Sequence, residues 1–143
     1  MSTSSPSADA AAIQAHLNIF QSVIQRMAAN SAGCKGWCIT LVSAILVILA
    51  GKGQPEHFVI AGIPVLLFLA LDTYYLSLER GFREAYNGFI RKLHADTLAT
   101  SDMYAIQPIG TGAKQFFGAL LSPSVWPFYL TLAVMVVLTR RFL

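Results

Sequence analysis

Residues 8–31, ADAAAIQAHLNIFQSVIQRMAANS, place Ile13, Leu17, Phe20, Ile24 and Met27 at alternating steps of four and three. That spacing predicts an amphipathic helix with a heptad-type apolar seam. Met1 to Ser7 ahead of it reads as a short disordered lead, and Asp9 would fall in the first turn, where the helix dipole favours an anion. Residues 33–50 then lose their polarity. From Trp37 to Ala50 there is no charge, and Thr40 and Ser43 are the only hydroxyls. Fourteen residues rise about 21 Å, short of the ~30 Å hydrocarbon slab of a bilayer. Gly33, Cys34 and Gly36 must extend the run, with Trp37 suited to an interfacial belt. GKGQPEH, residues 51–57, reads as a tight polar turn joining two antiparallel helices.

Residues 58–78 form a second apolar run that tolerates Asp72 near its end. Gly62 and Pro64 lie in its first two turns, where proline costs least. No turn signal separates this run from 79–94, so the helix is expected to continue as a charged extension. Glu79 and Arg83 form an i,i+4 pair in the favoured order, and Arg80 and Glu84 a second pair in the weaker one. Leu78, Phe82, Ala85, Phe89 and Leu93 sustain an apolar stripe. Gly81 and Gly88, seven residues apart, share a face that can admit a close neighbour. Residues 95–114 read as a connector, with a short helix around 97–105. Residues 116–139 are apolar again but broken by Pro123 and Pro127, giving either a third crossing or a re-entrant hairpin.

These elements predict an all-α membrane protein. It is a transmembrane helical hairpin, with both helices extended into the cytoplasm, plus a third C-terminal hydrophobic segment. Composition agrees: 55% of the residues are hydrophobic and 12% charged, with a mean hydropathy of +0.58, whereas soluble domains carry about 25% charged residues. The net charge of +3 is mild and does not by itself call for nucleic acid. With a cytoplasmic N-terminus, the inside holds Arg26, Lys35, Arg80, Arg83, Arg91, Lys92 and Lys114, against Lys52, Arg140 and Arg141 outside, in keeping with the positive-inside rule. The terminal Arg pair fits better if the last segment turns back.

Little in the chain suggests enzyme chemistry. Phosphate-loop, nucleophile-elbow and zinc-protease motifs are missing, and His16, His57 and His94 are far apart. No cofactor and no metal are expected. Cys34 and Cys38 have C-x3-C spacing, which puts two small apolar residues on one helix face rather than forming a zinc or redox motif. Asp72 is the sharpest residue, because ionisable groups within spans are costly and tend to face a partner, a pore or the bundle interior. It is either a polar latch or pore-lining group, or a solvated residue marking the hydrocarbon edge. Thr40 and Ser43 are the other candidates for pore or interhelical contacts. Trp37, Tyr74, Tyr75 and Trp126 read as an interface belt. Arg80, Arg83, Arg91 and Lys92, with Tyr86 for stacking, are either a basic run touching lipid headgroups or an anion site, since Arg forks suit phosphate.

The stretch LDTYYLSLERGFREAY, residues 71–86, resembles the L-D-x-Y-Y-L-x-x-E-R-x-F-R-x-x-Y signature of SLATT-type and related small multi-helix membrane effectors of prokaryotic anti-phage systems. The likeness covers residues 37–94, and Asp72, Tyr74, Tyr75, Glu79, Arg80, Arg83 and Tyr86 hold its positions. It implies a multi-pass protein of the bacterial inner membrane that forms a homo-oligomer of four or more copies and breaches the bilayer when signalled. It also implies a nucleotide or oligonucleotide ligand made by a partner nucleotidyltransferase. The competing expectations are a non-conducting anchor for a soluble enzyme and a holin-like or small transporter subunit.

Overall fold

The computed structural model describes residues 6–52, 55–110 and 112–142. They form four α-helices: α1 (Pro6–Lys52), α2 (Gly62–His94), α3 (Ala113–Leu120) and α4 (Trp126–Phe142), with no strand among the described residues. Met1 to Ser5, most of the expected disordered lead, lie outside them, and Pro6 and Ser7 are already helical. Proline suits the opening position because its missing N–H is one a helix start leaves unpaired anyway.

α1 is one unbroken rod of 47 residues, about 70 Å long. Its buried face runs through His16, Phe20, Ile24, Ser31, Cys34, Cys38, Val42 and Leu49, with Met27 and Ile45 partly buried between them. The steps of four, four and three follow an ordinary α-helix more closely than a strict heptad. The expected seam therefore drifts: Ile13 and Leu17 are only partly buried, and His16 takes the buried place beside them.

The turn after α1 falls partly on residues outside those described. Chain direction is restored by a 3-10 helix over Pro55–Ala61, so the second apolar run opens 3-10 rather than α. α2 then proceeds for 33 residues without interruption. It stops where Asp96 adopts a left-handed conformation (φ 53°); the Asp96 and Thr97 N–H groups cap the carbonyls of Leu93 and Lys92 at 3.3 and 3.0 Å. This is the usual way a helix end disposes of its free carbonyls.

α1 and α2 pack antiparallel along most of their length. The two extensions expected from the sequence thus pair with each other within one chain. The connector carries a single short 3-10 turn, Thr100–Tyr104. It is pinned to α2 where the Ile109 N–H donates to the Gly81 carbonyl at 3.1 Å. Gly81 permits this: a Cβ there would sit 2.9 Å from the Pro108 Cβ.

A turn separates Leu120, the end of α3, from Trp126, the start of α4. The Val125 and Trp126 N–H groups bond to the Ser122 carbonyl there. α4 runs antiparallel to α2. Val125, Tyr129, Leu132 and Val136 close a core with Cys38, Val42, Ala61 and Val65, and the Tyr129 hydroxyl donates to the Phe68 carbonyl at 3.1 Å. α1 and α2 are long and apolar enough to cross a membrane. α4 has 17 residues, a rise of roughly 26 Å, short of the ~30 Å slab.

Candidate functional site

Two polar groupings occur on the hairpin, one within the seam and one at the polar end. The seam site centres on Asp72, which has no solvent exposure. Its Oδ2 lies 2.5 Å from the Lys35 Nζ, and its Oδ1 accepts from the Ser31 hydroxyl. Lys35 also reaches Ser31 at 3.5 Å. Antiparallel packing explains the grouping: Ser31 and Lys35 are one turn apart on α1, and α2 presents Asp72 opposite them. A buried carboxylate is tolerable only with such partners, since desolvation alone would be prohibitive. The alternative of Asp72 as a solvated marker of the hydrocarbon edge does not hold. Nor does Thr73 beside it face water; buried in turn, it bonds the Leu69 carbonyl at 2.7 Å.

Thr40 and Ser43 lie elsewhere. Both are exposed on the outer face of α1, where the Thr40 hydroxyl donates to the Gly36 carbonyl at 3.0 Å. The structure does not bring them together with Asp72. Trp37, Tyr74 and Trp126 are about half exposed or more, at 64%, 51% and 47%. Tyr75 is half-buried, its ring 5.8 Å from that of Tyr74.

The basic residues of the α2 extension do not converge. Arg83 pairs with Glu79 at 2.8 Å. Arg80 does not pair with Glu84; its Nη1 donates to the Gly118 carbonyl at 2.9 Å and its Nη2 to the Ser122 hydroxyl at 2.8 Å. Glu84 instead pairs with Arg91 at 2.9 Å, two turns on. Lys92 pairs with Asp102 of the connector at 2.7 Å. Asp102 also accepts from the Ala99 N–H at 3.0 Å. These two contacts, Lys92 foremost, hold its carboxyl below the usual range.

Two clefts flank the polar end. One, of about 310 Å³, brings Arg83 and Tyr86 together with Gln21, Gln25 and Asn87 between α1 and α2. The other, of about 250 Å³, lies under the connector and is lined by Phe20, Gly88, Phe89, Lys92 and Asp102.

Close by, outside the apolar runs, His16 is buried between rings, with centroids 5.0 Å from Phe20 and 4.7 Å from Phe89. Its Nε2 has no hydrogen-bond partner among the described residues, and burial lowers its pKa. Sequence reasoning missed His16, and it missed Lys35 and Ser31 as the partners of Asp72. No family model, curated protein or solved structure matches the chain. Among the described residues, no group of His, Cys, Asp and Glu is arranged to hold a metal ion.

Proposed function

We propose that the chain is a multi-pass protein of the bacterial inner membrane. It works as a homo-oligomer of four or more copies that opens a path through the bilayer when its cytoplasmic end is engaged. The observation that carries this reading is the surface of the apolar end. Val47, Val59, Ile63, Leu66 and Val137 are 73%, 68%, 64%, 69% and 64% exposed, contributed by α1, the 3-10 helix, α2 and α4. A soluble monomer rarely leaves such a patch uncovered, whereas hydrocarbon covers it at no cost. The bilayer then spans residues 33–50 and 58–78, and the charged extensions stand in the cytoplasm. The direction of α4, from Ser122 beside Arg80 to Tyr129 beside Phe68, favours a third, slightly short crossing over a re-entrant loop.

Support for a pore comes from the outer face of α1, where Thr40 and Ser43 turn away from the chain's own core. Hydroxyls in a span are best used against other helices or water. One chain cannot enclose a channel, so copies must arrange this face around an axis. The cleft of Arg83, Tyr86, Gln21, Gln25 and Asn87 supports a planar, anionic ligand of the nucleotide kind at the polar end. With the SLATT-like signature, this supports reading the chain as an effector of anti-phage defence. A second reading, a non-conducting anchor that recruits a soluble defence enzyme, is favoured by the in-chain pairing of Arg83, Arg91 and Lys92.

Two measurements separate the readings. Oxidation of a Ser43→Cys variant in membranes gives cross-linked dimers if α1 faces α1. Purified full-length chain in dye-loaded liposomes releases dye if it conducts. Cross-links without release under any ligand would leave the anchor, and the absence of both cross-links and release would overturn the oligomeric pore.

A further inference from the structure

The surface between α2 and α4 holds a groove of about 310 Å³, lined by Leu66, Leu69, Leu120, Trp126, Leu130 and Ala133 among others. Its floor includes Val65 and Tyr129 of the core, and Leu66, Trp126 and Leu130 of its lining are exposed. Its lining is almost wholly hydrocarbon and aromatic, which suits an acyl chain better than a polar solute.

Arg80 does not line the groove, but it is anchored on either side of one residue that does, Leu120. The anchors are the Gly118 carbonyl and the Ser122 hydroxyl, at 2.9 and 2.8 Å. Ser122 is 6% exposed and itself tied into the α3–α4 turn, so the guanidinium is held rigidly. Both partners are neutral, and Arg80 has no carboxylate partner among the described residues. A guanidinium has five N–H donors, and these two contacts engage only part of them. The result is an uncompensated cation anchored beside Leu120 of the groove's lining, two turns beyond Asp72 toward the polar end. α3 lies over the same region, with Lys114 exposed on it and Phe117 59% exposed, as an interfacial helix would have them.

We propose that this is a lipid site: the groove takes one acyl chain of an anionic phospholipid, and Arg80 takes the phosphate. The charge argues for an anionic headgroup, because a guanidinium fork matches phosphate oxygens. The groove argues for a lipid over a free phosphate, because a free ion would leave the apolar lining uncovered. Basic pockets between helices at the cytoplasmic boundary are suited to such headgroups. The site rests on the membrane placement proposed above, and it would fasten the α3–α4 turn to α2 from outside.

The test uses delipidated full-length protein in detergent, after carbonate extraction has established whether it is membrane-embedded. Native mass spectrometry then compares phosphatidylglycerol with phosphatidylcholine of the same chains. One phosphatidylglycerol per chain is expected, favoured over phosphatidylcholine by about tenfold, the worth of one charge-assisted contact. Arg80→Gln should bring the two lipids level, while Arg80→Lys keeps part of the preference. Ala133→Trp, at an exposed position, should fill the groove and weaken both lipids. If Arg80→Gln does not fold, the lysine and tryptophan variants carry the comparison. Equal binding of both lipids by the wild type, full binding by Ala133→Trp, or displacement of the lipid by inorganic phosphate would overturn the site. Release of the chain by carbonate would instead overturn the membrane placement on which it rests.

Discussion

Lys35 of α1 and Asp72 of α2 form an ion pair across the hairpin, 2.5 Å between Nζ and Oδ2, with the carboxylate wholly buried and the lysine side chain 21% exposed. Removing one partner of such a pair strands a charge, whereas replacing both does not. Asp72→Ala should lower the unfolding free energy by about 3 kcal/mol, the low end for a broken buried pair because Lys35 can lift its ammonium toward water. The double change Lys35→Met with Asp72→Leu should recover most of the loss. Denaturant melts followed by circular dichroism in detergent check both; equal destabilisation by single and double variants would contradict this account.

His16 makes the polar end of the seam sensitive to acid. Burial between Phe20 and Phe89 disfavours the charged imidazolium and lowers the pKa from its ordinary 6.5. The unfolded chain takes up a proton near that ordinary value, while the folded chain resists until lower pH. Stability is therefore full above about pH 6.5 and falls as the pH drops through it. His16→Phe should be at least as stable and should flatten the profile between about pH 7.5 and 5. Thermal melts at stepped pH show it, and an unchanged slope in the variant would assign the acid sensitivity elsewhere.

Gly81 and Gly88 should respond oppositely to added bulk. A Cβ at Gly81 meets the Pro108 Cβ at 2.9 Å and the Ile109 carbonyl oxygen at 3.0 Å, whereas at Gly88 the nearest atom is the tip of Arg91 at 3.7 Å. Gly81→Val should push the connector off α2, break the Ile109–Gly81 hydrogen bond and cost about 1–3 kcal/mol. Gly88→Ala should stabilise α2 by up to about 1 kcal/mol. Hydrogen exchange at Ile109 reports the first change and melting temperature the second.

The Lys92–Asp102 contact clips the connector to the end of α2. Because Asp102 has its pKa depressed by Lys92 and the Ala99 N–H, the clip holds above the ordinary carboxyl range and is lost as pH falls through the depressed value. Lys92→Ala should mimic acid at neutral pH. Faster exchange or proteolysis at residues 99–104 measures this, with little change in global unfolding, since exposed pairs contribute weakly.

The helices were legible in the sequence because their apolar runs and missing breakers leave few alternatives. Gly33 and Gly36 did not end α1, and no turn signal interrupted α2. The seam was less legible. A heptad count favoured Ile13 and Leu17, but the packed face passes through His16, Ser31, Cys34 and Cys38, residue types that a hydrophobic pattern skips. The partner of Asp72 was also missed, although a signal existed: Lys35 and Asp72 lie at nearly equal distances from the 51–57 turn, so folding the chain there brings them face to face. Arg80 could not be paired correctly from local spacing. An i,i+4 rule offers Glu84, while its actual acceptors, Gly118 and Ser122, belong to a segment that returns only after the connector.

Gly33 and Gly36 have no other part of the chain within 4 Å of where a Cβ would stand. Two glycines in one turn lower the helix propensity of this section of a rod about 70 Å long. Ser31 and Lys35 straddle Gly33, with Gly36 just beyond, and both are fastened to Asp72. The ion pair is thus a splint as well as a bond: it ties α1 to α2 beside two glycines that weaken the helix locally. Cutting it would unlock flexure there, uncoupling the two ends of the rod before the hairpin itself comes apart.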